Sequence, residues 1–404
     1  MANPRRLVLT GLFLWAFFQP FSNIGLYIGI GIILLGIILD WQSVIRCFHR
    51  RDPLASAIFL YVFCGLLSLI FGGIWEWGIL KVWREFLMIP FFYVLSIAFL
   101  YDPGDWFVSA WGGGFALAAI LGISQFGVFH VVHSTAALKG SDFSFLIHWL
   151  HIAPRAHGSF GEGSAVLYGE LMAFGALGML VIGSKIERNK WRYLLLSGMC
   201  CVGLVLSQSR GPALGFLVGL LCILLLEFKS NFYAAISAGA FVLGAIFSLP
   251  RFSMGRHLLE SGPSSSINIR LELWKVAWEM FLKNPIFGVG LRNYSYRFHS
   301  YHPSIVGDVS SWGNPHNLYL FTLAEQGLTG FLALFVLFGT IMLRAWKNYR
   351  SSCSASSLWL LAWMFTFLVM DLTNCSLGVS MIWMPTIALY AWMESQSRLN
   401  ERRR

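Results

Sequence analysis

Stretches of roughly 15 to 25 apolar residues recur along almost the whole chain, and no other feature restricts its fold as strongly. A run of that length crosses about 30 Å of hydrocarbon as an α-helix, with every backbone N–H and C=O satisfied inside the segment. Reading for such runs predicts about twelve helices, approximately 7–19, 24–39, 54–71, 86–101, 106–128, 164–183, 191–207, 211–227, 231–249, 329–345, 357–371 and 376–393. Charged residues make up only 12% of the chain, about half of what a water-soluble domain carries. Lipid is therefore the solvent for most of it. The apolar runs are continuous rather than alternating, which argues against a β-barrel. Arg5 and Arg6 ahead of an apolar run imitate a signal peptide, but no small-residue cleavage site follows and a second apolar span begins almost at once. The expected fold class is an all-α polytopic membrane protein, a single transmembrane domain over 1–404 without internal repeats.

Charge placement orients the spans. The formal net charge is +10, yet the basic residues form no single patch and sit in short loops, so they describe membrane topology rather than nucleic-acid binding. With the N-terminus inside, the inner loops hold Arg46, Arg50 and Arg51; Lys185, Arg188, Lys190 and Arg192; Lys229; and Arg344, Lys347 and Arg350. The opposite orientation would put nearly all of this charge outside, against the positive-inside rule. Both termini are therefore expected in the cytoplasm. Two longer segments, 129–163 and 250–328, are expected outside, the second inserted between the ninth and tenth helices. Cys47, Cys64, Cys200, Cys201, Cys222, Cys353 and Cys375 are not paired for an outer disulfide or spaced for zinc, and read as small core residues.

Within 250–328 the stretch 270–283 has helical periodicity. Leu271, Trp274, Trp278 and Phe281 make an apolar face, Arg270, Glu272, Lys275, Glu279 and Lys283 a polar one, and Asn284-Pro285 ends it. Such an amphipathic helix belongs at the membrane interface. Arg270 at its N-terminus is an unfavourable place for a cation unless an anion is shared with the helix end; otherwise it is a solvated charge on a polar face. Arg210, in Ser207-Gln208-Ser209-Arg210-Gly211-Pro212, sits between two apolar spans with almost no turn to spare. It either snorkels to the headgroups or serves a ligand, and the helix N-terminus that Pro212 marks offers free N–H groups to an anion such as phosphate. His316, in Asn314-Pro315-His316-Asn317, is expected at the start of a helix entering the membrane, where it is a structural residue or a base for a hydroxyl. His130 and His133, and His148 and His151, have i, i+3 spacing, but nearby carboxylates for a metal site are lacking. The run Arg155-Ala156-His157-Gly158 is a candidate wall of a substrate groove, whereas Glu76, Lys81, Arg84 and Glu85 read as interfacial ion pairs.

Three of these features together resemble the O-antigen ligase family, within a superfamily that also holds O-antigen polymerases and bacterial O-linked oligosaccharyltransferases. They are Ser-Gln-Ser-Arg210-Gly at a helix start, Arg270 leading to Asn284-Pro285-Ile286-Phe287-Gly288-Val289-Gly290, and His316-Asn317 followed after nine residues by Gly327-Leu328-Thr329-Gly330. The resemblance covers about 150–345 and implies a GT-C-like, inverting, metal-independent glycosyltransferase without a cofactor. It would move a glycan from undecaprenyl pyrophosphate to a sugar hydroxyl of lipid A–core, at the periplasmic face of the bacterial inner membrane. Carried over residue by residue, Arg210 and Arg270 bind the pyrophosphate and His316 assists deprotonation of the acceptor, with Asn317 and Arg155 among the substrate contacts. The chemistry is consistent with that division: bidentate guanidinium groups neutralise a leaving pyrophosphate without an acidic metal motif. A polymerase or a protein-modifying transferase of the same superfamily fits the same motifs. A secondary transporter is the reading from another class, disfavoured because the helix centres are almost free of charge.

Overall fold

The structure is a computed structural model that describes residues 3–41, 52–72, 86–101, 104–139, 156–157, 164–186, 189–227, 266–301 and 313–403. The predicted span 231–249, the stretches 140–155, 158–163, 250–265 and 302–312 of the two outer segments, and with them Arg155, His148 and His151, fall outside these residues. So do Glu76, Lys81, Arg84, Glu85, Arg46, Arg50, Arg51, Arg188 and Lys229.

All regular structure among the described residues is helical. In chain order the helices are α1 (Pro4–Phe18), α2 (Asn23–Leu39), α3 (Pro53–Gly72), α4 (Met88–Ala98), α5 (Asp105–Lys139), α6 (Ala165–Lys185), α7 (Lys190–Leu206) and α8 (Arg210–Glu227). They continue as α9 (Ser266–Lys283), α10 (Tyr294–Tyr301), α11 (Leu318–Ser352), α12 (Ala355–Met370) and α13 (Ser380–Arg403). Among the described residues five stretches are long and apolar enough to cross a membrane: Pro53–Gly72, Trp106–Phe129, Ala165–Lys185, Arg210–Glu227 and Leu318–Ser352. Asn23–Leu39, Met88–Tyr101 and Ala355–Met370 are shorter apolar helices. The chain is a multi-pass, all-α membrane protein.

Lipid supplies little drive for helix association, so close packing and internal hydrogen bonds carry it. Trp111, Phe174, Trp359 and Trp363 form an aromatic centre, with Trp111–Trp359 at 5.0 Å and Phe174–Trp359 at 4.8 Å between ring centroids. Each indole N–H has an internal acceptor: Trp111 donates to Gln19 Oε1 (2.8 Å), Trp359 to the Phe174 carbonyl (3.1 Å) and Trp363 to Thr386 Oγ1 (2.8 Å). One stripe of small residues decides where the site lies. Gly211, Gly215 and Gly219 recur every fourth residue on one face of α8, which lies flat on α12. A Cβ at Gly215 would stand 2.6 Å from the Thr366 carbonyl oxygen, and one at Gly219 2.7 Å from that of Ala362. The stripe thus holds the Arg210 end of α8 against the C-terminal end of α12.

The two ends of the bundle differ. At one end Lys185 pairs with Glu227 (2.5 Å), which also accepts from Tyr349 Oη (2.8 Å), and Arg344 meets Glu394 (3.4 Å). At the opposite end the starts of α6, α8 and α11 meet the ends of α7 and α12. Ser209 Oγ donates to the Ala165 carbonyl (3.1 Å), and the Leu318 N–H donates to that of Asp371 (3.0 Å).

The structure corrects two sequence expectations and reveals a second apolar face on α9. α9 starts at or before Ser266, so Arg270 stands at least a turn inside the helix and not at its N-terminus. The face of α9 that packs is Leu273, Val276, Ala277 and Met280, buried with Val289, Tyr294, Phe298 and Ala324. The face read from periodicity and expected at the membrane interface is the one left outside the protein core, with Leu271 44% and Trp278 46% exposed. Finally, the predicted span 329–345 is the distal part of a 35-residue helix, α11, broken at Gly327 (φ 62°, ψ −159°).

Candidate active site

That break builds the floor of the site. At Gly327 the helical hydrogen bonding is interrupted, and the segment 285–290 supplies the missing partners. Val289 and Gly290 N–H donate to the Ala324 and Glu325 carbonyls (both 2.9 Å), while Leu328 and Thr329 N–H donate to those of Pro285 (2.8 Å) and Ile286 (3.2 Å). The two glycine motifs noticed separately in the sequence are therefore two sides of one backbone pairing. No side chain fits between them: a Cβ at Gly327 would lie 2.4 Å from the Ile286 carbonyl oxygen, and one at Gly288 2.4 Å from the Glu325 carbonyl carbon. Ser68 of α3 adds a hydrogen bond to the Glu325 carbonyl (2.5 Å), and Phe71 stacks on Phe287 at 4.4 Å.

Arg210 is the first residue of α8. The turn before it is held by Gln208 in the left-handed region (φ 52°) and by Ser207, whose Oγ donates to the Leu204 carbonyl (2.6 Å) and accepts from Ser209 N–H (3.3 Å). Arg270 projects from the second turn of α9 as described. One turn on, Trp274 Nε1 donates to the Pro315 carbonyl (2.9 Å), which ties α9 to the residue preceding His316. His316 has φ 49° and donates its N–H to Asn314 Oδ1 (2.8 Å); it precedes α11 rather than belonging to it.

The three basic residues, separated by 60 and 46 positions in sequence, come within electrostatic reach of one another. Burial, and then the charge of Arg210, lowers the pKa of Arg270 from its ordinary value. Burial, and then the charge of Arg270, lowers that of His316 to about 4. An imidazole in that state is neutral at physiological pH and has a lone pair to accept a proton. Mutual repulsion between two guanidinium groups is an arrangement that an anion of more than one charge would relieve. Among the described residues no group of three or more His, Cys, Asp or Glu gathers as metal ligands.

The remaining expectations are placed differently. Asn317 caps α11: its Oδ1 accepts from Leu320 N–H (3.0 Å) and its Nδ2 donates to the Leu372 carbonyl (3.0 Å), so its amide holds the loop. Arg155 lies outside the described residues. Its neighbours Ala156 and His157 are buried, and Ala156 N–H donates to the Leu206 carbonyl (3.0 Å), so that run does reach the turn carrying Arg210.

Sequence reading missed the turn after α12. Ser376 N–H donates to Asp371 Oδ1 (2.9 Å), Ser376 Oγ donates to Glu170 Oε1 (2.7 Å), and Asn374 Nδ2 donates to the same Glu170 oxygen. A Cβ at Gly211 would touch Thr373 Oγ1, and Asn317 hangs on Leu372, so this turn fixes Arg210 and His316 relative to each other. The available signal was Glu170, a carboxylate inside an apolar span.

Residues 193–335 match the family model described as O-antigen ligase. The chain carries an O-antigen ligase family domain. Arg210, Arg270, His316 and both glycine motifs lie within the matched residues, whereas the turn after α12 lies beyond them. The matched stretch covers the C-terminal half of the described bundle only in part, and ends within α11. The chain is also similar to an uncharacterized protein of Haemophilus influenzae, 27% identical over 163 residues. That similarity covers 36% of this chain and 41% of the relative, so the chain spans less than half the length of the curated protein it matches.

Proposed function

We propose that the protein is an O-antigen ligase that transfers a glycan from undecaprenyl pyrophosphate to a sugar hydroxyl of lipid A–core. The observation that carries this reading is the convergence of Arg210 and Arg270 on one spot beside a neutral His316. The acceptor oxygen attacks the anomeric carbon from the face opposite the pyrophosphate, which inverts that centre. The bond from the anomeric carbon to the phosphate oxygen breaks, and its electron pair leaves with undecaprenyl pyrophosphate. Arg210 and Arg270 neutralise the charge that develops there, in the role a divalent ion fills elsewhere. The hydroxyl proton passes to the imidazole of His316. Lipid-linked substrates explain a site at the rim of a helix bundle. Short-loop Lys and Arg such as Lys185 and Arg344 lie at the opposite end of the bundle, which favours a site on the periplasmic face of the bacterial inner membrane and cytoplasmic termini.

The test is transfer in vitro, from lipid-linked donor to purified rough lipopolysaccharide, with and without EDTA. Extended lipopolysaccharide should form equally in both. Elongation of the lipid-linked donor in place of the core would make the protein a polymerase. Retention of activity by Arg210→Ala, Arg270→Ala and His316→Ala alike would remove the proposed site.

A further inference from the structure

Beside the segment that carries His316, a cavity of about 200 Å³ opens into the bundle. It is walled by Tyr61 of α3, Phe321 of α11 and Trp383 of α13, and Arg292, Asn314 and Gln326 supply polar groups. Neither Arg210 nor Arg270 lines it, so it is a different compartment from the one between the two arginines.

Three features mark it as built for a ligand. Gln326 is only 2% exposed; its Nε2 donates to Tyr61 Oη (3.2 Å), while its Oε1 finds no partner among the described residues. A buried amide oxygen left in that state costs stability unless something else meets it. Arg292 adopts φ 64°, an unfavourable conformation for a residue with a Cβ. The turn that imposes it is pinned on both sides, by Gly290 N–H to the Glu325 carbonyl (2.9 Å) and by Asn293 Nδ2 to the Val289 carbonyl (3.2 Å). Strain maintained so firmly is characteristic of functional positions. Third, Asn314 lines the cavity and its Oδ1 holds the backbone N–H of His316 (2.8 Å), so the occupant lies one residue contact away from the imidazole's own backbone.

From these observations we infer that the cavity is the subsite for one sugar ring of the acceptor, held between aromatic walls and read by Arg292 and Gln326. This deepens the proposed ligase reaction and rests on it. A volume of about 200 Å³ lies below the range of roughly 300–1,000 Å³ typical of drug-sized ligands, which restricts the occupant to about a single ring. Aromatic faces pack against the C–H faces of sugars, and a planar amide and guanidinium suit neighbouring hydroxyls. A lipid chain would gain nothing from Arg292 or an open amide oxygen. The donor's first sugar is disfavoured because it is bonded to the phosphate that the arginines would hold.

The test uses the full chain in nanodiscs, with core oligosaccharide released from rough lipopolysaccharide as one probe and inorganic pyrophosphate as the other. Wild type should bind both. Arg292→Gln and Gln326→Leu should each weaken core-oligosaccharide binding, and raise the KM for rough lipopolysaccharide, by roughly tenfold, the loss of one good polar contact. Pyrophosphate affinity and donor KM should stay within about twofold, which also certifies that the variants are folded. If Gln326→Leu fails that check, Arg292→Gln decides alone. A wild type that does not bind the oligosaccharide, variants that bind it normally, or a rise confined to donor KM would each overturn the subsite. Binding without any transfer to the core would leave the subsite standing and sink the ligase reading instead.

Discussion

The electrostatic arrangement around His316 makes a quantitative prediction. Its pKa lies at about 4, against an ordinary 6.5, with burial the larger cause and the charge of Arg270 the smaller. Replacing Arg270 by Gln removes the smaller cause and retains most of the burial, so the midpoint should rise yet stay nearer 4 than 6.5. Inorganic pyrophosphate added to wild type should also raise it, because an anion beside Arg270 offsets the same charge. The assay is the rate of modification by diethyl pyrocarbonate between pH 3.5 and pH 8, on the order of the range over which a neutral imidazole reacts. Subtracting His316→Gln isolates the residue from the other nine histidines of the chain. The fold favours the neutral imidazole, so its linkage to stability follows directly. The contribution is fully present above about 6.5 and is lost as pH falls from there through about 4. A wild-type midpoint at 6.5, or one that falls when Arg270 is removed, would refute the proposed neighbourhood of these two residues.

Other consequences are more local. Arg210→Lys and Arg270→Lys keep the charge but lose the fork, so transfer should fall by about a hundredfold or more with thermal unfolding unchanged; near-normal rates would argue against bidentate pyrophosphate binding. Gly215→Leu drives a side chain into the Thr366 carbonyl, an overpacking of about 1–3 kcal/mol, and should lower the unfolding temperature in detergent; an unchanged midpoint would contradict the α8–α12 contact. Gly327→Ala combines φ 62° with a Cβ 2.4 Å from the Ile286 carbonyl oxygen, so both stability and transfer should drop. Asn317→Ala loses a helix cap worth about 1 kcal/mol and the tie to Leu372; Asn317→Ser should recover the cap alone, which differential scanning would resolve.

Sequence alone determined the helical architecture to within a few residues for α2, α3, α6 and α8, because in lipid the apolar run and the helix are the same physical requirement. It also marked Arg210, since the expense of a cation near hydrocarbon is a local property, whereas Arg270 and His316 were marked by motif, the helix start expected at Arg270 being wrong. Partners are not local, and there the tertiary structure decided. α9 is apolar on two sides, so periodicity could not say that Leu273, Val276, Ala277 and Met280 would be buried while Leu271 and Trp278 remained outside. Gly288 and Gly327 each have an evident turn preference, but only the meeting of their backbones explains why α11 breaks and 285–290 crosses it. Glu170 and Ser376 lie 206 positions apart, and the turn they stabilise was invisible until the chain was folded. That turn, with the glycine stripe of α8, brings two arginines and a histidine within electrostatic reach of one another. Proximity of like charges is unfavourable in itself, and only the packing of the rest of the bundle holds them there.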